Sequence, residues 1–131
     1  GYMTWKVNKF FGGGIKSFII NCGRAKIPNC VNHPHNYYLE ILSELGIVGF
    51  ILISIIFLII AFKTFIKKYF TLSKLNENYV ITPFIFLFLM EIFPIRNTGS
   101  FFSTVNATYL FLIMSILVGL LKKHNLIEKK T

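Results

Sequence analysis

The sequence predicts an all-α, membrane-embedded chain, with a partly helical outer N-terminal segment followed by about three transmembrane helices. Three observations carry that expectation. Of 131 residues, 54% are hydrophobic and 17% aromatic, and the mean hydropathy is +0.63, well above an ordinary soluble domain. Runs such as "GIVGFILISIIFLIIAF" at 46–62 leave no polar face at helical period, so a helix there is apolar all round and needs lipid or other helices about it. Lysines bracket the apolar runs, in "KTFIKKYFTLSK" at 63–74 and "LLKKHNLIEKK" at 120–130, as flanking charges do at membrane boundaries. The balance of 14 Lys and Arg against 5 Asp and Glu forms no single groove-lining stripe, which argues against a nucleic-acid partner.

Residues 1–36 mix aromatics, bases and three consecutive glycines without a clean period, and are expected to form an extracytoplasmic or interfacial segment. "GGGIKSF" lacks the spacing of a phosphate-cradling loop and is expected to be a flexible turn before a short helix. With Gly1 in place of an initiator methionine and no signal-peptide pattern, the chain is expected to be a piece of a longer polytopic protein. Residues 37–131 form the expected membrane domain, with spans at about 37–63, 80–94 and 104–121. Crossing the hydrocarbon takes about 20 residues, so the first span must include part of Leu39 to Leu45 below its apolar run. Pro94 closes the second, and Pro83 is expected in its first turn, where its missing N–H does no harm.

Orientation follows from the lysines. The basic loop 63–79 and the basic tail 122–131 are expected on the cytoplasmic side. The "HPHN" cluster at 33–36 then lies on the extracytoplasmic side of a bacterial plasma membrane, together with "PIRNTGSFFST" at 94–104. Lys6, Lys9, Lys16, Arg24 and Lys26 run against that rule, and a functional need for outside positive charge would resolve the conflict.

Pro34 disfavours helix at the residue before it, and Asn36 is a good N-cap, so a helix is expected to start at Tyr37. His35 then sits beside a helix N-terminus, where unpaired N–H groups and the dipole attract phosphate and favour the neutral imidazole. One place thus offers an anion site and a candidate general base. Glu40 in the first turns suits the dipole. Glu40 and Glu44, at i and i+4, either orient partners or stay in water. Cys22 and Cys30 form a disulfide on an oxidising face or, less in keeping with the usual spacings, hold zinc with His33 and His35. A plain capping turn explains the histidines equally well on chemistry alone. Arg96 is expected near membrane depth, snorkelling from an aromatic belt or facing phosphate, and Glu91 either lines a cavity or reaches the interface.

His35-Asn36, nine residues, then Gly46-x-x-Gly49 fit H-[NSQ]-x9-G-x-x-[GTY], and "HPHNYYLEILSELGIVGF" resembles the motif of the O-antigen ligase and O-antigen polymerase superfamily. Trp5, "FFGGGIKSF", the lysine-rich turn and the "GSFF" loop follow in the same order as in the C-terminal part of such enzymes. The resemblance implies a metal-independent glycosyltransferase without cofactor. It would move a glycan from a polyprenyl-pyrophosphate donor to a glycan or lipid acceptor hydroxyl during lipopolysaccharide or other surface-polysaccharide synthesis, as ligase or polymerase. It makes His35 catalytic with His33 as a neighbour, and Asn36 and Glu40 at the helix start join His33, Arg24 and Arg96 as substrate-binding candidates. Family arginines that meet the pyrophosphate lie largely upstream, and this sequence reads "GYMTW" where relatives often carry one, so Arg24 and Arg96 stand as substitutes. Gly46 and Gly49 are expected to let a neighbouring helix approach closely. A transporter or channel fragment, or a non-catalytic membrane anchor, accounts for the apolar spans but gives no reason for the histidine motif.

Overall fold

The computed structural model describes residues 1–28, 30–66, 78–95 and 99–128. Its helices are α1 (Tyr2–Trp5), α2 (Phe18–Arg24), α3 (Tyr37–Ile66), α4 (Asn78–Glu91) and α5 (Thr104–Glu128), with no strand among the described residues. The all-α expectation therefore holds, and the N-terminal segment is partly helical, with α1 packed on α2. Among the described residues, two helices, α3 over Tyr37–Phe65 and α5 over Thr104–Lys123, are long and apolar enough to cross a membrane. At 14 residues, α4 rises only about 21 Å and falls short of the roughly 20 residues that a crossing needs. Pro83 lies in its second turn, not its first, because the helix begins at Asn78. There the ring removes the N–H that would have met the Tyr79 carbonyl. The lysines Lys67, Lys68, Lys74, Lys129 and Lys130 used for orientation lie outside the described residues.

The chain divides into two compact units. One comprises Gly1–Ile55 with Pro94–Ala107, the other Ile56–Phe93 with Thr108–Thr131. In the second, Ile81, Ile85 and Phe88 form the buried face of α4 at helical spacing, and Phe88 meets Phe57 edge-on at 6.1 Å. Thr64 donates from Oγ1 to the Ile60 carbonyl at 2.8 Å, so its hydroxyl is satisfied inside the helix. Glu91 ends α4 and is buried.

The first unit is organised around a break in α3. Gly46 has φ +67° and ψ −170° in the middle of an otherwise continuous helix. Such a break orphans N–H groups after it and carbonyls before it. The glycine-rich stretch after α1 meets both sets. Ile47 and Val48 donate to the carbonyls of Lys9 (2.9 Å) and Phe10 (3.2 Å), while Gly13 and Gly14 donate to those of Ser43 (3.3 Å) and Glu44 (2.8 Å). Two backbones touch here. A Cβ on Gly46 would collide with the Phe10 carbonyl and the Gly12 nitrogen, and one on Gly12, itself at φ +70°, would strike the Glu44 carbonyl. The short helix expected after the glycine turn is present, since Phe18 opens α2. The glycines themselves dock into α3 in addition to turning the chain.

Gly46→Ala is expected to destabilise the chain by about 1–2 kcal/mol from the left-handed backbone alone, and further because the opposing atoms are backbone and have little room to shift. Gly49→Ala carries no such left-handed penalty, and its cost comes from the Leu45 Cβ alone, which its added Cβ would strike and which moves only with the helix backbone. Thermal unfolding in detergent compares the two, and a Gly46→Ala variant as stable as the parent would contradict this account of the break.

Candidate functional site

The site is built where α3 begins. Asn36 accepts from the Tyr38 and Leu39 amides at 3.0 and 3.1 Å through Oδ1, the geometry of an N-cap, so the helix starts at Tyr37 as the sequence predicts. The other half of the Asn36 amide is used as well: Nδ2 donates to the Pro94 carbonyl at 2.7 Å. One side chain therefore caps the helix and ties it to the Pro94 backbone. The cap also takes up two of the amides expected to greet a phosphate. An anion here would be drawn mainly by the helix dipole.

His35 precedes the cap and is exposed, with φ +53°, a left-handed conformation uncommon outside glycine but less so for histidine than for bulkier residues. Its ring centroid lies 4.3 Å from that of the half-buried His33, with the planes tilted by 58°. The turn thus presents a paired imidazole surface directly beside a capped helix.

Below the cap, acidic residues one and two turns along do not stay in water. Glu40 is buried and accepts from Ser100 Oγ on Oε1 and from the Phe101 amide on Oε2, both at 2.5 Å. Glu44, also buried, accepts from the Lys16 amide at 2.6 Å through Oε2. These charge-assisted bonds to backbone N–H groups are what permit carboxylates to be buried. Lys16 is another non-glycine residue at positive φ, +62°, and the Glu44 carboxylate holds it there. Phe101 is not part of an exposed aromatic belt: it is buried and packs edge-on against Tyr37 at 5.4 Å.

Of the residues singled out in the sequence, the structure brings His33, His35 and Asn36 together, with Glu40 one turn below and committed to the 100–101 backbone. Arg24 is exposed in the last turn of α2. Arg96 lies outside the described residues. Gly46 faces loop backbone where a helix was expected, because the loop supplies the partners that the broken helix lacks; Gly49 has the Leu45 side chain of its own helix nearest to it. Cys22 and Cys30 are joined as a disulfide, Cα atoms 6.2 Å apart, which removes the thiolates that a zinc site would have used. Ser100 and Lys16 carry structural hydrogen bonds that the sequence did not reveal. Their only signal was the "GSFF" and "GGGIKSF" strings, whose partners lie 60 and 28 residues away.

No family model, curated protein or solved structure matches the chain.

Glu40→Ala should strand the buried Phe101 amide, at a cost of about 1–3 kcal/mol, and open the Ser100–Phe101 turn to protease. Limited proteolysis in detergent checks it, with Glu40→Gln, which keeps one acceptor oxygen, expected to recover part of the protection. Equal cleavage rates in parent and Ala variant would contradict the role given to this carboxylate.

Proposed function

We propose that the chain is the C-terminal part of an O-antigen ligase-like glycosyltransferase of the bacterial plasma membrane. In this reading α3 and α5 cross the bilayer, α4 is a short third membrane helix, and the histidine motif faces outward. The membrane part is supported by how little of the apolar helices the chain itself covers. In their most apolar stretches only 17% of α3 and 28% of α5 is buried, whereas a soluble core helix would be mostly buried.

The observation that carries the enzymatic part is His35. An exposed imidazole is held at positive φ, between a proline and an N-cap, beside a second histidine ring. A left-handed non-glycine residue costs about 1–2 kcal/mol, and retained strain of this kind clusters at functional sites. The local "HPHN…G-x-x-G" string is the part of the sequence that resembles the family motif.

In the proposed reaction an acceptor hydroxyl attacks the anomeric carbon of the lipid-linked glycan. The bond from that carbon to the diphosphate oxygen breaks, and the polyprenyl diphosphate leaves with the electron pair. His35 takes the hydroxyl proton as general base. The dipole of α3 meets the charge that develops on the leaving group, with Arg24 and Arg96 as the candidate basic side chains from the sequence. The acceptor is a glycan or lipid hydroxyl.

In the full-length enzyme, His35→Ala should lower glycan transfer by about 100- to 10,000-fold, the usual weight of a positioned general base, while insertion and expression hold. Transfer from a defined polyprenyl-diphosphate donor at matched expression measures this. Undiminished transfer would overturn the assignment.

A further inference from the structure

We infer that residues 2–12 form a docking surface for anionic phospholipid headgroups, set at the depth where α3 enters the hydrocarbon. The inference rests on the membrane reading of α3 above and adds the partner of a segment that reading leaves without one.

Depth comes from the register at the break. Beyond Gly46, α3 runs from Ile47 to Ile66, about 20 residues and about 30 Å, the thickness of a bilayer core. The side chains change at the same point. No large hydrophobic residue of Tyr37–Ile47 is exposed, whereas exposed ones begin at Val48 and recur at Ile51, Leu52 and Ile55. The break therefore marks the polar boundary of the span. Lys9 and Phe10 are hydrogen-bonded through their carbonyls to Ile47 and Val48, so the stretch around them sits at that same boundary.

What this stretch displays suits an anionic lipid surface. Phe10 and Phe11 are 70% and 79% exposed, an aromatic pair that is costly in water and well placed among headgroups and upper acyl chains. Beside them residues 6–12 line an open cleft of about 390 Å³ that has Lys6 and Lys9 in its wall. Lys6 Nζ stands 4.8 Å from the centre of the Tyr2 ring. Residues 1–36 carry five Lys and Arg and no Asp or Glu, so the whole segment is complementary to negative charge. The outside lysines that run against the orientation rule thus acquire a physical reason, since basic side chains near an anionic surface are each held by attraction to it.

Trp5, the sole tryptophan, reports on this surface, because its Nε1 donates to the Lys9 carbonyl at 2.9 Å. The whole chain is reconstituted in vesicles of phosphatidylcholine, with or without phosphatidylglycerol, in which either lipid carries bromine high on its acyl chains. Trp5 quenching should be stronger with the brominated phosphatidylglycerol at equal mole fraction. Lys6→Gln with Lys9→Gln should lower that preference by about fivefold per lysine without loss of helical circular dichroism, because the Lys9 contribution to the break is made by its backbone. Equal quenching by the two lipids, or free quenching of Trp5 by aqueous acrylamide, would overturn the inference. So would loss of the preference to inorganic pyrophosphate at matched ionic strength, which would make the cleft a site for soluble anions. Retention of the chain after an alkaline wash of the vesicles is read in parallel. A retained chain with lipid-blind Trp5 defeats this inference alone, and a chain washed off defeats it together with the membrane reading.

Discussion

A helix broken in mid-course must have its severed hydrogen bonds met by something, and here a loop more than thirty residues upstream does so on both sides of the break. The exchange around Gly46 is reciprocal: two loop carbonyls accept from the helix after the break, and two loop amides donate to the helix before it. If the surroundings are hydrocarbon or its edge, the demand is strict, since each unsatisfied backbone group there costs several kcal/mol. Glycine on both strands of the contact lets the backbones meet, and side chains on either would separate them. The N-terminal segment is therefore part of α3 in energetic terms.

With the break secured, the first turns of α3 act as a hub. Asn36, Glu40 and Glu44 follow one another at i, i+4 and i+8, and each holds a different segment: the Pro94 carbonyl, the Ser100–Phe101 turn and the Lys16 amide. All three use side-chain groups on backbone or hydroxyl partners, which defines loop positions more tightly than apolar packing would. His35 rides directly on the capped end of this hub, on a main chain fixed by its neighbours. The general base that we propose here would need a determined position, and His35 adjoins the Asn36 cap, whose side chain is held on both sides.

Much of this was legible in the sequence where the signal is local. Apolar runs with lysine at their ends announce long apolar helices, Pro34 and Asn36 announce a helix start at Tyr37, and two cysteines eight residues apart form a plausible pair. The break was not legible. A glycine inside an apolar run reads as a packing residue, and nothing near Gly46 in the chain signals that its partners are Phe10 and Gly12. For the same reason the burial of Glu40 and Glu44 was missed: their i, i+4 spacing is also that of a solvated face, and the amides that neutralise the cost of burial come from loops distant in sequence. The helix also continues past Lys63 to Ile66, which leaves about 20 residues after the break, enough to span alone.

The most direct measurement of the central contact is amide hydrogen exchange, resolved by residue, on the chain in micelles. If the loop completes the helix, the amides of Gly13, Gly14, Ile47 and Val48 exchange slowly and as one cooperative group, with protection comparable to the rest of α3. Fast exchange at Gly13 and Gly14, with Ile47 and Val48 open while the flanking turns of α3 stay protected, would show that the break is not filled by the loop.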